Sequence, residues 1–244
     1  MKQINIKKCV VTVLGGLLMT GSFVHAQSIQ TPDGKMPLVH WAVVESTEGK
    51  MPEILSMGAK DVAPTTAKEK GTYALYGGVD KENPNLLRIL EIYEDENAYE
   101  IHRSSAGFKQ YQAERADIVS NIMIFEAVPI VLEQKAAGTG GAVYMNLITV
   151  KSDKLESYKA LITKEMQRAV KEDEGVLGLF ATAEKEHPER IHTMGIYTNP
   201  AAYERYISSE NYRNFREAVE PMTNTHLSVE NLPTKIVLSS KGLN

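Results

Sequence analysis

Asp80-Lys81-Glu82-Asn83-Pro84 returns 104 residues later as Glu184-Lys185-Glu186-His187-Pro188, and the register holds on both sides of it. Upstream, Gly71 matches Gly175. Downstream, Ile92-Tyr93 matches Ile196-Tyr197, Ala98-Tyr99 matches Ala202-Tyr203, and Ser104-Ser105 matches Ser208-Ser209. Glu126 and Pro129 match Glu230 and Pro233, so residues 71–133 recur at 175–237 without a gap. One register kept across loop, helix and strand means two copies of one module, and the fold must be that of a fused pair.

The first 26 residues read as a leader rather than as fold. Lys2, Lys7 and Lys8 precede an apolar run from Val10 to Met19, and Val24-His25-Ala26 offers small residues where a signal peptidase cuts. The run is too short to span a bilayer, which needs about 20 residues. Export to the periplasm or beyond is therefore expected, with no stable membrane anchor after cleavage. Loss of the three lysines lowers Lys+Arg from 27 to 24 against 31 acidic residues, a formal charge of about −7. That balance argues against nucleic acid or an anionic membrane as partner. Cys9, the single cysteine, leaves with the leader and takes thiolate chemistry and disulfides with it.

Each copy reads strand, helix, strand, strand, helix, strand. Pro37 to Val44 is rich in β-branched and aromatic residues, Met51 to Val62 has helical spacing, and Thr72–Tyr76 and Leu86–Tyr93 flank a loop holding Pro84. Asp95, and Asn199 followed by Pro200, are N-cap signals for a second helix, expected over Glu96 to about Ala116 with Ala98, Ile101, His102, Ser105 and Phe108 on one face. Asn121 to Leu132 is the last strand, where Pro129 implies an edge or a bulge. The second copy's first helix, Leu155 to Val170, buries Leu155, Tyr158, Leu161, Ile162, Met166 and Ala169, and Lys154, Lys159, Lys164, Glu165, Arg168 and Lys171 read as its solvated face.

The βαββαβ order predicts an α+β fold of two ferredoxin-like modules. Their strands are apolar at both parities, so the sheets should pack together as an intramolecular dimeric α+β barrel with helices outside. The expected divisions are leader 1–26, linker 27–36, module one 37–133, linker 134–141 and module two 142–240. Fusion removes the need for a homodimer without forbidding one.

Glu91-Ile92-Tyr93-Glu94-Asp95-Glu96-Asn97-Ala98-Tyr99-Glu100-Ile101-His102-Arg103-Ser104-Ser105, with Phe108 beyond, resembles the signature stretch of the antibiotic biosynthesis monooxygenase family. The resemblance implies oxygenation of quinols or similar small aromatics with O2 as co-substrate and no flavin or metal. In a related branch it implies binding and opening of haem.

His102 is the expected catalytic base, able to take a proton from a quinol hydroxyl. His40, Tyr76, Tyr93 and Phe108 are expected to line its pocket between sheet and helix. With His40 facing that pocket, Trp41 falls to the barrel interior. Asn146 resembles the strand-one asparagine of the haem branch, with Tyr197 and Tyr206 completing the set of ligand-pocket residues. No half carries that branch's full Asn, Trp and His set. His187, His192 and His226 form no metal spacing, so no metal site is expected. The rival to an enzyme is a binding protein for haem or another planar aromatic.

Overall fold

The computed structural model describes residues 25–233 and 238–239 and contains the expected order of elements twice. A short strand β1 (Ala26–Ser28) precedes module one, which comprises β2 (Leu38–Ser46), α1 (Met51–Met57), α2 (Ala63–Thr66), β3 (Thr72–Asp80), β4 (Leu86–Tyr93), α3 (Glu96–Ser104), α4 (Ala106–Glu114) and β5 (Val119–Lys135). Module two comprises β6 (Ala142–Val150), α5 (Leu155–Glu172), β7 (Val176–Glu184), β8 (Arg190–Tyr197), α6 (Pro200–Ser208), α7 (Glu210–Val219) and β9 (Thr223–Pro233). The leader, residues 1–24 of it, lies outside the described residues.

All strand pairings are antiparallel. The order β5-β2-β4-β3-β9-β6-β8-β7 returns to β5 through a ladder that sets Ala127 opposite Glu184 and Gln134 opposite Gly178. The modules thus share their long last strands: β5 pairs with β2 and then passes to β7, and β9 pairs with β6 and then with β3. The register shifts between Pro129 and Val131, at the proline that forecast a bulge. β1 lies along the end of β5, so the expected linker at 27–36 begins as a strand. The second linker also starts later than expected, because Lys135 is a buried strand end whose Nζ donates to the carbonyl of Val170.

Three apolar layers follow. Val39, Trp41, Leu90, Ile92, Phe180, Met194 and Ile196 fill the barrel. Leu87, Tyr93, Ile54 and Tyr111 pack under the helices of module one, and Tyr158, Ile162, Val176 and Val219 do so in module two. Alternation along β2 sends Trp41 inward, where Nε1 donates to Thr182 Oγ1 at 2.9 Å, and His40 toward the helices. The second helix of each module presses on the residue before β3 or β7: at Gly71 and Gly175 an added Cβ would stand 2.6 Å from the Cβ of Ala98 or Ala202.

The second helix of each module differs from expectation. It breaks at Ser105 (ψ 148°) and Ser209 (ψ 150°), each of which leaves helical geometry and caps a new helix by accepting from Phe108 N or Tyr212 N. Serine competes for backbone donors in this way and so favours a start over a helix interior. The break leaves Ala98 and His102 buried while Ile101, expected on the same face, is 52% exposed. Module one's first helix also carries a π-helical turn, Gly58–Val62, where α5 is regular.

Candidate functional site

In module one, His102 sits beneath α3, 3% exposed, with Nδ1 2.8 Å from Glu69 Oε2. Thr72 Oγ1 donates to the same carboxylate oxygen at 2.8 Å. Burial pushes the Glu69 carboxyl up, but the hydrogen bonds from His102 and Thr72 win and hold it below the usual carboxylate range. Tyr93 and Phe108 flank the imidazole, with ring centroids 5.6 Å and 4.9 Å away. His40 faces Glu91 directly across the β2–β4 ladder. Its ring meets the edge of Tyr99 at 4.3 Å, and its Nδ1 is buried without a hydrogen-bond partner among the described residues. Glu91 is buried too; Tyr93 donates its hydroxyl to Oε2 at 3.1 Å, and burial raises the carboxyl against the opposing pull of His102, Tyr93 and Arg115.

The structure thus sets Tyr93 and Phe108 beside His102, with His40 joined to the group through Tyr93 and Tyr99, and two carboxyl groups among the rings. Tyr76 is not among them. It lies in the barrel interior, where its hydroxyl donates to Gln134 Oε1 at 2.7 Å and its ring stands 5.4 Å from Phe180. Strand alternation with a register shift between Thr72 and Ala74 accounts for that placement.

A small cavity of about 50 Å3, partly open to solvent, occupies the equivalent position in module two. Tyr144, Tyr158, Tyr197, Tyr203, Tyr206 and Tyr212 wall it. With the offset of 104, Tyr144 replaces His40, Tyr197 replaces Tyr93, Tyr206 replaces His102 and Gly195 replaces Glu91. The ladders agree: His40 opposes Glu91 and Tyr144 opposes Gly195. A Cβ at Gly195 would stand 2.5 Å from the Tyr197 hydroxyl oxygen and 2.6 Å from Cε2. Glycine lets the Tyr197 ring lean over the strand, into the room that Glu91 fills in module one. Tyr144 and Tyr203 stack with centroids 3.4 Å apart and planes 9° from parallel, and Tyr206 stands 6.0 Å from Tyr197 and 4.8 Å from Tyr212. Burial holds the hydroxyls of Tyr197 and Tyr206 well above the usual phenol range, so both are neutral donors.

The polar groups on the wall are few. Asn146 Nδ2 donates to Thr193 Oγ1 at 2.8 Å. Glu165, expected on the solvated face, is instead 7% exposed and lines the cavity. Arg168 holds it with two bonds, Nε to Oε2 at 3.0 Å and Nη2 to Oε1 at 2.7 Å. Arg216 also lines the cavity. Asn146, Tyr197 and Tyr206 were legible as site residues; Tyr144, Thr193, Gly195 and Glu165 were not. Applying the repeat offset to His40 would have found Tyr144, and the helical spacing of Ile162, Glu165, Met166 and Ala169 would have turned Glu165 inward.

The chain belongs to the antibiotic biosynthesis monooxygenase family, whose model matches residues 37–114 and again residues 142–218. Membership makes it a monooxygenase-like protein of a general kind. Nothing among curated proteins matches it. Its fold is similar to that of a protein from Lactobacillus acidophilus NCFM provisionally described as a monooxygenase: TM-score 0.78, 15% identity, 84% of this chain and 97% of that one covered. A Fusobacterium nucleatum protein described in the same terms is similar at TM-score 0.77 and 17% identity, covering 85% and 96%. An anthrone oxidase-like protein is similar at TM-score 0.60 and 10% identity, covering 88% and 96%.

Proposed function

We propose that the protein is a monooxygenase acting, without flavin or metal, on a quinol or similar small aromatic bound in the module-two cavity. The observation that carries the reading is that cavity: six tyrosines wall a small, partly open space between sheet and helices, with Asn146, Thr193 and Glu165 among them. Aromatic walls suit a flat ring, and neutral phenols with Asn146 and Thr193 suit its hydroxyls. Glu165 is the one carboxylate on the wall. It takes a hydroxyl proton from the quinol, and Arg216 favours the anion that results. The electron-rich ring then reacts with O2. One oxygen atom joins a ring carbon and the other leaves as water with two hydrogens of the quinol, giving a hydroxyquinone.

In this reading His102 is a packing residue of module one, hydrogen-bonded to Glu69, rather than the base. Haem fits the cavity less well, because the space between the tyrosines is smaller than a porphyrin ring. A second reading, binding of a planar aromatic without turnover, is favoured by the stacked Tyr144–Tyr203 pair. An exported location belongs to the same proposal and rests on the leader residues alone.

The test is O2 uptake with hydroquinone, followed by product mass analysis. The expected product has gained one oxygen and lost two hydrogens. Glu165→Gln, which keeps the cavity's shape, should slow turnover by roughly 100-fold or more. Saturable hydroquinone binding with no O2 uptake would instead support the binding reading. Wild-type turnover in Glu165→Gln removes that residue from the chemistry.

A further inference from the structure

The inward rows of β2, β4, β5 and β8 continue beyond the packed barrel core to Val43, Arg88, Phe125 and His192. There the barrel opens into a concavity of about 810 Å3 that shares no lining residue with the module-two cavity. His192 stands between two aromatic rings, 5.5 Å from Trp41 and 5.1 Å from Phe125 by centroid. Its Nε2 is 2.7 Å from Glu184 Oε1, and Arg190 Nε holds that same oxygen at 3.2 Å. An imidazole fixed by a carboxylate, in a concave aromatic setting, is the arrangement of an oriented proton acceptor. Beside it the wall is apolar and accessible, with Met123 53% and Ile124 49% exposed.

The charges at this mouth select among ligands. Arg88 pairs with Asp80 at 2.8 Å, Lys185 with Glu126 at 2.7 Å, and Arg190 with Glu184. The cations are already met by carboxylates, so an anionic ligand gains little and an uncharged one loses little. His192 is kept neutral by burial, which outweighs the opposing pull of Glu184.

We propose that the barrel mouth is a second ligand site, which takes an uncharged phenol with its ring against Phe125 and Met123 and its hydroxyl on His192. The site stands independently of the module-two reading. Trp41, the single tryptophan of the chain, lies against His192 and reports on it.

The experiment titrates the full-length protein with para-cresol, and separately with toluene, which lacks only the hydroxyl, while Trp41 emission is followed. The expected result is a saturable change with para-cresol, with toluene binding roughly three- to ten-fold more weakly, the range one hydrogen bond supplies. In His192→Leu the preference for para-cresol should fall to about one, while in Gly195→Glu, which fills the other cavity, the titration should be unchanged. Met123→Glu, an exposed wall substitution outside the core, should weaken both probes. A non-saturable response, an undiminished para-cresol preference in His192→Leu, or loss of the response in Gly195→Glu overturns the proposal. Should His192→Leu fail to fold, normal para-cresol binding by Met123→Glu overturns it as well.

Discussion

The two modules share backbone, ladder register and capping, and differ in what fills the space between sheet and second helix. In module one that space holds Glu91 bonded to Tyr93, His102 bonded to Glu69, and His40 against the edge of Tyr99. In module two a glycine and tyrosines surround a cavity. On the proposed reading the ligand goes to the tyrosine-walled copy, while the imidazole that draws attention in the sequence belongs to the other, where it pairs with Glu69.

Three substitutions sharpen this contrast. The largest effect is expected from His102→Ala. It leaves Glu69 buried without its imidazole donor and empties the space of the ring, which together cost about 3 kcal/mol or more. Denaturant unfolding should show that loss, while hydroquinone binding in the folded protein stays within about two-fold, since no wall residue of the cavity changes. The pH dependence carries a sign. Glu69 is held below the usual carboxylate range, so its stabilisation is complete above the ordinary glutamate value and is lost as pH falls through the lowered one. His102→Ala should flatten that acid limb. An unchanged stability curve would mean that the pair contributes nothing.

Next in size is Gly195→Glu, which gives module two the residue of module one. The new side chain collides with Tyr197 and occupies the cavity, so hydroquinone affinity measured by calorimetry should fall at least ~100-fold, or about 2.7 kcal/mol. Near-normal affinity would show that the cavity is not the binding site.

The smallest effect is expected from Glu91→Gln. Burial raises this carboxyl above the usual range, so its contribution to stability is complete below the ordinary glutamate value and lost as pH rises through the raised one. Glutamine cannot ionise. The variant should match wild type near pH 4 and be more stable at neutral pH, by on the order of 1 kcal/mol, the scale on which an under-compensated buried polar group shows in mutant proteins. Equal stability at both pH values would place Glu91 in contact with water.

Most of the fold was legible because it rests on periodicities. The repeat offset set the module boundaries, alternation along β2 separated His40 from Trp41, Asp95 and Asn199 marked helix starts, and Pro129 marked the bulge. The helix breaks were hidden because a serine in a helical stretch either stays inside or caps a new turn, and the choice depends on tertiary packing. The site was only half legible. Residue types suggested where proton chemistry could occur, and His102 is the more reactive-looking group. Whether a ligand has room depends on how side chains from three elements divide the space, as when Tyr197 leans over Gly195, and no single residue type reveals that. Glu165 was obscured by its charged neighbours, although its spacing from Ile162 and Ala169 placed it on the buried face.

The most direct measurement is a crystal structure of the protein soaked with hydroquinone under anaerobic conditions. The account requires the ring to lie in module two, between Tyr197, Tyr206 and the Tyr144–Tyr203 stack, with a hydroxyl within hydrogen-bonding distance of Glu165. A ring bound in module one against His102, with the tyrosine-walled space left to solvent, would contradict it.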